Sequence, residues 1–523
     1  MIASGLHVLA IYDFRSKQKF IYRTNQMKEI TGASELIAGM YERFISAGVD
    51  GVPLRDDWAS INPLELGCFK STDGSSVAGE VVYEGGGNLL VLYPDIETFK
   101  RANRQFSRIV IENAYTLPMI SAGVVWEESG DESCSDFEWN RRRAYRQLDL
   151  VKRTGSQNPP CNVLPFTQVS RATFQPIVKK GHSGDEDRTQ ESILKRRAFD
   201  AMPRERQSMG KFLDDLGTEN GSDSLIAVLY FDGNSIGDRV KTVLSDSEAA
   251  GKDPVAAIRD FSKSLHESLV EKTEEGMISA IARLPEKYQG CRIIVDHGDE
   301  ITLVCNAHAA PFALDAYFSA LEGTGYHACG GMAICHSHDP FAQVYRIAEE
   351  CCESGKKENR RVQKLAIASS QSDGVEKPAP KGDANYVDFH FCRSGITGSL
   401  EQIRAAQEAD IIKRPYRVDR SYSTFIQVGE LLAGSAGIQR SDLKELNRAI
   451  LRGHSWYAPE YERLKAKDFA TMSAIESVCC GEGALKPDEI RMAAKSILFD
   501  VTSFYDVYDL RFRGLESEVR LHG

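Results

Sequence analysis

Apolar and polar residues alternate along the chain in a way that predicts short strands separated by amphipathic helices. An apolar run ending in aspartate, residues 7–13, precedes apolar residues at helical spacing, namely Met27, Ile30, Ile37, Met40 and Phe44. A second such run, residues 225–232, precedes Val255, Ile258, Phe261, Leu265 and Leu269. After each helix come two strand-like runs joined by a Gly-containing turn, a further helix and a last strand. The pattern predicts a βα-ββ-αβ unit.

This unit occurs twice in the chain. Residues 84–93 resemble residues 296–304, and residues 120–126 resemble residues 328–335, in the same order as the aspartate-ended strands. The three blocks share a nearly constant offset of about 210 residues, which indicates an internal repeat although each block alone is weak. We therefore expect an α+β protein with two ferredoxin-like domains, each an antiparallel sheet with helices packed on one face.

Changes in composition predict five segments. The first copy of the repeat spans residues 1–126 and the second copy residues 223–370. Between them, residues 127–222 are charged and predict a connecting subdomain with mobile loops. Residues 371–386 form a second linker, and the helical spacing of apolar residues beyond it predicts a mainly helical C-terminal domain over 387–523.

Composition narrows the classes of function. A chain of 523 residues exceeds what one hydrophobic core usually serves, so we expect more than one domain. Its formal charge of −11 argues against binding nucleic acid through overall positive charge, although a local basic patch remains compatible with the sequence. The apolar runs are far shorter than the about 20 residues that span a bilayer, and the N-terminus lacks a basic leader. The 12 cysteines include no C-x-x-C pair, so reduced thiols are expected rather than a structural zinc. We expect a cytoplasmic protein without membrane association.

The two copies differ where chemistry would occur. Gly86-Gly87-Asn88 of the first copy aligns with Gly298-Asp299-Glu300 of the second. In this topology the end of the first strand lies beside the hairpin turn, so Asp232, Asp299 and Glu300 are expected to converge, with a backbone carbonyl from Gly233. Carboxylate clusters of this kind suit Mg²⁺ or Mn²⁺. A Gly-Asp-Glu turn alone is more often a solvated hairpin tip, and only its combination with Asp232 favours a metal site.

The motif Asp232-Gly-Asn-Ser-Ile-Gly237 together with His297-Gly-Asp-Glu300 resembles a known family. It is similar to the D-G-D-x-M-G and G-G-D-D motifs in the large polymerase/cyclase subunit of type III CRISPR effector complexes, and to the palm of diguanylate cyclases. Further similarities lie in residues 28–34, in the Gly-Gly-Gly turn of the first copy, in residues 387–390 and in residues 414–416. The resemblance covers most of the chain, and its paired palms are more specific than any single motif.

The resemblance implies a metal-dependent, pyrophosphate-releasing nucleotidyltransferase that makes cyclic oligonucleotide messengers from ATP in antiviral defence. It implies Mg²⁺ or Mn²⁺ as cofactor and assigns catalysis to Asp232, Asp299 and Glu300, with Gly233 as a further metal ligand. Nucleotide contacts are assigned to Asn234, Ser235, Gly237, His297, Gly298, Lys356, Gly86 and Gly87. Implied partners are other effector subunits, an activating RNA and a downstream nucleotide sensor.

Several residues depart from the family pattern. Asn234 stands where the family has a second Asp, His297 replaces the first Gly of the turn, and Glu300 replaces the last Asp. The longer Glu still binds metals, whereas His297 adds bulk beside the expected triphosphate. The family's N-terminal HD nuclease is expected to be missing. Lys356 fits a lysine that contacts the triphosphate, but it equally fits a lysine that complements a helix dipole.

Two alternatives stay open. A palm protein without catalysis could bind nucleotide or RNA as a scaffold subunit. The second alternative is a cyclic dinucleotide synthase that uses GTP, because palm motifs indicate the phosphate chemistry more clearly than they indicate which base is bound. Neither a P-loop nor a G-x-G-x-x-G pattern occurs, which disfavours the common NTPase and dinucleotide-binding folds.

Overall fold

The computed structural model describes residues 5–56, 66–71, 74–85, 87–130, 134–154, 164–181, 187–203, 216, 224–372, 383–392, 398–408, 411–480 and 487–514. The chain forms two compact units. Unit 1 consists of Met1–Phe212, Ser235–Val270 and Ile294–Asp299, and unit 2 of Leu213–Asn234, Glu271–Ile293 and Glu300–Gly523. The five-segment division predicted from the sequence stays a prediction.

Strands and helices alternate along the described chain. The strands are β1 Val8–Phe14, β2 Leu54–Arg55, β3 Gly79–Gly85, β4 Asn88–Tyr93, β5 Met119–Val125, β6 Ile177–Lys179, β7 Arg188–Thr189, β8 Leu225–Gly233, β9 Cys291–His297, β10 Glu300–Asn306, β11 Ala328–His336, β12 Tyr386–Phe391 and β13 Tyr416–Arg417. The α-helices are Lys17–Ile21, Met27–Ala47, Ile96–Ala114, Asp136–Thr154, Gln190–Ala201, Ile236–Ala249, Pro254–His266, Lys272–Ala282, Ala310–Leu321, Phe341–Ser372, Leu400–Gln407, Ser423–Gly434, Arg440–Arg452, His454–Lys467, Phe469–Cys480 and Pro487–Arg513. Within the described ranges, no helix has both the length and the apolar character needed to cross a membrane.

The sheet of unit 1 has the strand order β2-β3-β4-β1-β5. Its central strand β1 pairs antiparallel with β4 and β5, and Asp13 at the end of β1 lies opposite Asn88. Tyr12 on one face contacts Phe44 and Phe106 of two helices that belong to the first copy. The other face is also covered, because Leu9, Ile11 and Leu90 share a core with residues of helices outside the first copy, namely Phe137, Leu148, Leu244, Val255 and Ile258.

The sheet that contains β8 has the order β13-β12-β11-β8-β10-β9. Strand β8 is central and antiparallel to both β10 and β11, and Asp232 near its end lies opposite Glu300. Strand β12 adds a parallel pair beside β11, beyond the predicted end of the second copy at residue 370. The predicted α+β class is confirmed, and the matching registers of Asp13 with Asn88 and of Asp232 with Glu300 confirm the alignment of the two hairpins.

A turn with the same backbone geometry follows the aspartate in each copy. Ser16, three residues after Asp13, has φ 53°, and Ser235, three residues after Asp232, has φ 56°. Each serine is the N-cap of the next helix. Left-handed serines are uncommon, so their recurrence at one position adds structural support to the repeat that was found from the apolar pattern.

The helix Phe341–Ser372 lies directly on the second sheet. A Cβ at Gly331 of β11 would collide with Ala348 O and Cys352 N of the helix. Only a residue without a side chain allows backbone to approach backbone so closely. The packing distance at β11 therefore sets where the side chains of this helix reach the end of β8.

A buried network of charges joins β12 to the helices of unit 2 that follow it. Arg404 pairs with Asp388 at 2.7 Å, and Arg414 pairs with Asp500 at 3.0 Å and with Glu408 at 3.1 Å. Asp388, Arg414 and Asp500 have fully buried side chains. Ion pairs of this kind tolerate little change, because removing one partner leaves an uncompensated charge in the interior.

His390 within this network predicts acid sensitivity. Burial lowers the pKa of His390 from 6.5 to about 4, with Arg404 and Arg414 acting in the same direction and Glu408 against it. His390 is thus neutral in the folded protein but protonates in the unfolded chain below pH 6.5. We expect the free energy of unfolding to fall as pH drops from 6.5 towards 4, by about 3 kcal/mol at most from this residue.

The measurement is urea unfolding of the parent and of His390→Gln between pH 7 and pH 4. The variant is expected to show a shallower loss of stability over this window, since glutamine does not titrate. Parallel curves for the two proteins would refute the assignment to His390. The difference between the two curves removes the contributions of the other titrating groups of the network, which both proteins share. One of these groups is Asp500, whose pKa is raised by burial.

Candidate active site

Two carboxylates face each other at one end of the second sheet. Asp232 on β8 is the register partner of Glu300 on β10. Directly opposite residues of antiparallel strands place their side chains on the same face, with Cβ atoms about 5 Å apart. Like charges in this arrangement are destabilising unless a cation lies with them.

The cation beside this pair is the ammonium of Lys356, from the helix Phe341–Ser372. Its Nζ lies 2.7 Å from Asp232 Oδ2 and donates to Gly233 O at 3.0 Å. The side chains of Lys356 and Asp232 are 18% and 27% exposed. The predicted metal ligands at the end of β8, the Asp232 carboxylate and the Gly233 carbonyl, are thus both contacted by the ammonium of Lys356.

Two tyrosines lie beside the opposite carboxylate, and one of them binds it. Tyr345 donates its hydroxyl to Glu300 Oε1 at 3.0 Å and packs edge-on against Tyr230, with ring centroids 5.6 Å apart. Burial raises the pKa of Tyr230, and the negative charges of Glu300 and Asp232 raise it further. Tyr230 therefore stays protonated, while Tyr345 fixes the orientation of the Glu300 carboxylate.

A cavity of about 230 Å³ opens beside Asp232. Its lining consists of Tyr230, Asp232, Glu349, Glu350, Cys352, Glu353 and Lys356. Glu350 accepts a hydrogen bond from Leu400 N, and Glu353 forms an ion pair with Arg360. Two of the lining carboxylates therefore already have partners within the protein. The lining still holds more carboxylates than cations, and a triphosphate entering it would need positive charge to accompany it.

The other predicted site residues lie at the turns. Asp299 and Gly298 form the β9–β10 turn, with Gly298 at φ 67°, and Asp299 is partly exposed one residue before Glu300. Ser235 and Gly237 are exposed at the start of the helix Ile236–Ala249. His297 ends β9, and its side chain is outside the described part of the structure.

Asn234 is buried, with 3% of its surface exposed. Its Nδ2 donates to Ala384 O at 3.0 Å, and its backbone N–H donates to His327 O at 2.8 Å. An aspartate here would direct a buried carboxylate at the Ala384 carbonyl instead of a donor. The structure thereby gives a physical reason for asparagine at a position where the similar family has aspartate.

The corresponding place in the first copy carries a different charge pattern. Asp13 is paired with Lys17 at 3.1 Å and with Lys152 at 2.8 Å. Lys17 also donates to Gly87 O at 3.1 Å, and a Cβ at Gly87, where φ is 73°, would collide with its Nζ. Asp13 thus has two lysine partners, and its register partner is the neutral Asn88. Gly86 lies outside the described residues.

Among the residues that the structure describes, no group of three or more His, Cys, Asp or Glu side chains is arranged to hold a metal ion. Two opposed carboxylates and the Gly233 carbonyl nevertheless make a set of hard oxygen donors, and the Lys356 ammonium binds two of them, Asp232 and Gly233 O. Mg²⁺ and Mn²⁺ accept such an incomplete set, because water and substrate phosphates supply the remaining ligands. The residues present therefore fit a divalent cation.

Sequence reasoning missed Tyr230, Tyr345 and Glu349. Tyr345, Glu349, Cys352 and Lys356 follow one another at spacings of four, three and four residues, the period of one helix face. Following the helical period back from Lys356 to Tyr345 would have found this set. Tyr230 lies two residues before Asp232, on the same face of β8.

No protein-family model and no curated protein matches the chain. Solved structures match its fold. A chain of the Csm1-Csm4 cassette in complex with one ATP has a TM-score of 0.50 and 13% identity, over 97% of this chain and 70% of that chain. The cassette in complex with AMPPNP gives 0.49 and 12%, over 98% and 70%, and the cassette in complex with cA3 gives 0.48 and 13%, over 97% and 70%. At this identity the likeness shows the fold.

The burial of Asn234 predicts that Asn234→Asp destabilises the protein. We expect a loss of about 1–3 kcal/mol at pH 7, because a buried carboxylate would replace the donor to Ala384 O. Thermal melting measures it, and Asp238→Asn, an isosteric change at an exposed side chain, serves as control and should melt like the parent. A melting temperature for Asn234→Asp equal to that of the parent would contradict the structural role.

Proposed function

We propose that the second copy of the repeat binds a nucleoside triphosphate with a divalent cation and transfers its nucleotidyl group, releasing pyrophosphate. The observation that carries the proposal is the opposed pair Asp232 and Glu300 at the end of the central strand. Two facing carboxylates are unfavourable in a free protein and become favourable when a divalent cation lies between them and a polyphosphate.

The finer proposal is synthesis of a cyclic oligonucleotide messenger from ATP in a type III CRISPR-like antiviral pathway. The resemblance of the motifs at 232–237 and 297–300 supports it, as does a fold similar to a chain of a Csm1-Csm4 cassette described with one ATP. Other effector subunits, an activating RNA and a downstream nucleotide sensor are proposed as partners on the same resemblance. A cytoplasmic location belongs to this proposal.

The residues around the pair would hold and orient the cation. Asp232, the Gly233 carbonyl and Glu300 would hold Mg²⁺ or Mn²⁺, and Asp299 at the adjacent turn would add a further carboxylate. When bound, the cation supplies charge neutralisation for the triphosphate and for the attacking oxygen. Tyr345 keeps Glu300 oriented through its hydroxyl, so that this carboxylate does not have to be ordered when substrate arrives.

The bond changes define the reaction. The 3′-oxygen of one nucleotide forms a bond to the α-phosphorus of the next, the bond from that phosphorus to the bridging oxygen breaks, and pyrophosphate leaves. The hydroxyl proton passes to water. Ring closure repeats the step within one oligonucleotide, with its own 3′-oxygen as the nucleophile and its own 5′-triphosphate as the electrophile.

The first copy is proposed to lack metal chemistry. Asp13 has two lysine partners and faces Asn88, so its charge is already balanced. A contribution of Gly86 and Gly87 to nucleotide binding stays a prediction. Tyr41 donates its hydroxyl to Gly87 O at 2.9 Å, and this bond together with that from Lys17 accounts for part of the constraint on this turn.

The test is incubation of the purified chain with Mn²⁺ and labelled ATP or GTP, with the products resolved by mass spectrometry. Asp232→Asn, Asp299→Ala and Glu300→Gln are each expected to lower product formation at least about 100-fold, because each removes a charge from the proposed cation site. Melting temperatures should change little for Asp299→Ala, since its side chain is only partly buried at a turn.

Glu286→Gln is the matched control and should keep parental activity. Glu286 is an exposed glutamate of unit 2 just before β9, and the chain there meets Asn306, at the other end of β10 from Glu300. Full activity in any of the three site variants would refute the assignment of that residue. Nucleotide binding without any product, in the presence of the proposed partners, would favour the scaffold function instead. Product from GTP but not from ATP would replace the proposed substrate while leaving the reaction unchanged.

A further inference from the structure

In both copies of the repeat a lysine amine bridges the aspartate at the strand end and a nearby backbone carbonyl. In the second copy Lys356 Nζ contacts Asp232 Oδ2 at 2.7 Å and Gly233 O at 3.0 Å. In the first copy Lys17 Nζ contacts Asp13 Oδ1 at 3.1 Å and Gly87 O at 3.1 Å. A carboxylate and a carbonyl are also the ligands that a hard divalent cation takes.

The two bridges differ in their charge balance. In the first copy one carboxylate, Asp13, faces two ammonium groups, because Lys152 also contacts it at 2.8 Å. In the second copy, among the residues described, one ammonium, that of Lys356, accompanies two carboxylates, because Glu300 stands where the first copy has Asn88. The second set thus keeps a negative excess that a divalent cation would neutralise, and the first set does not.

The two lysines also differ in how they are held. Lys17 comes four residues after Asp13, across the short turn that leads into the first helix. Lys356 reaches Asp232 from the helix Phe341–Ser372, more than 100 residues away along the chain. Its flexible stem carries a compact charge that can turn to another anion without any movement of the backbone.

We propose that Lys356 is an exchangeable counter-ion of the nucleotide site. It occupies Asp232 and Gly233 O in the free protein, gives them up to the divalent cation, and then pairs with the phosphates that arrive with that cation. This inference rests on the proposed function of the second copy. Lys17 and Lys152 are the counterpart in the first copy, where they balance Asp13 and leave no negative excess for a metal ion.

The exchange couples cation and nucleotide binding. A cation arriving alone must displace the ammonium and leaves it without the Asp232 carboxylate, so it binds weakly. A cation arriving with a triphosphate gives the displaced ammonium a new partner, so the two ligands bind with positive cooperativity. The coupling would restrain the cation from occupying the site before substrate is present.

The experiment measures Mn²⁺ binding by the electron paramagnetic resonance signal of free Mn²⁺, with and without α,β-methylene ATP, which cannot release pyrophosphate. Lys356→Met keeps most of the stem and removes the charge. Without nucleotide this variant is expected to bind Mn²⁺ about five- to tenfold more tightly than the parent, because nothing competes for Asp232. With α,β-methylene ATP its gain in Mn²⁺ affinity should be smaller than that of the parent.

Lys357→Met is the control, because it removes the same charge from an exposed neighbour on the same helix. It should follow the parent in both titrations, which separates local competition from general electrostatics. Melting curves establish that each variant is folded, and Lys356→Gln provides a second neutral side chain should the methionine variant be unstable.

Equal or weaker Mn²⁺ binding by both neutral variants in the absence of nucleotide would overturn the inference, as would a Lys357→Met variant that behaves like Lys356→Met. Failure of the proposed function looks different. In that case Lys356→Met still binds Mn²⁺ more tightly than the parent, but the parent yields no product from ATP or GTP. Absence of Mn²⁺ binding in every variant would refute both the exchange and the cation site.

Discussion

The opposition of Asp232 and Glu300 is the constraint on which the rest of the candidate site depends. The register of β8 with β10 sets it, so the Cα atoms of these two residues cannot separate without breaking the ladder. Two like charges at this spacing need a cation, and the surrounding structure is organised to provide one. Lys356 supplies it at Asp232, while Tyr345 binds the Glu300 carboxylate through a hydrogen bond.

The first copy of the repeat has the same strand register at this point but lacks the repulsion between two opposed carboxylates. Its strand end has the same register and the same left-handed serine, yet Asn88 replaces the second carboxylate and two lysines bind Asp13. A scaffold can therefore be kept while its charge pattern is changed at three or four positions. The comparison within one chain separates what the fold requires from what the proposed chemistry requires.

Much of this arrangement could be predicted from the sequence. The internal repeat identified both sheets, and the alignment of Asn88 with Glu300 agrees with the observed registers. Side-chain contacts over long separations could not be predicted, because periodicity shows which face a residue occupies but not what that face meets. The pairing of Lys356 with Asp232 and the burial of Asn234 against Ala384 belong to this class. The second covered face of the first sheet was missed because its helices lie outside the first copy.

The absence of a side chain at Gly331 has a consequence for timescales. With helix backbone packed against strand backbone at this point, the helix Phe341–Ser372 acts as a rigid mount for Lys356. In the proposed exchange the ammonium then leaves Asp232 by rotations about its own side-chain bonds, without the collective movements of helices or domains that take microseconds to milliseconds. A counter-ion mounted in this way would respond to ligands while the backbone around it stays in place.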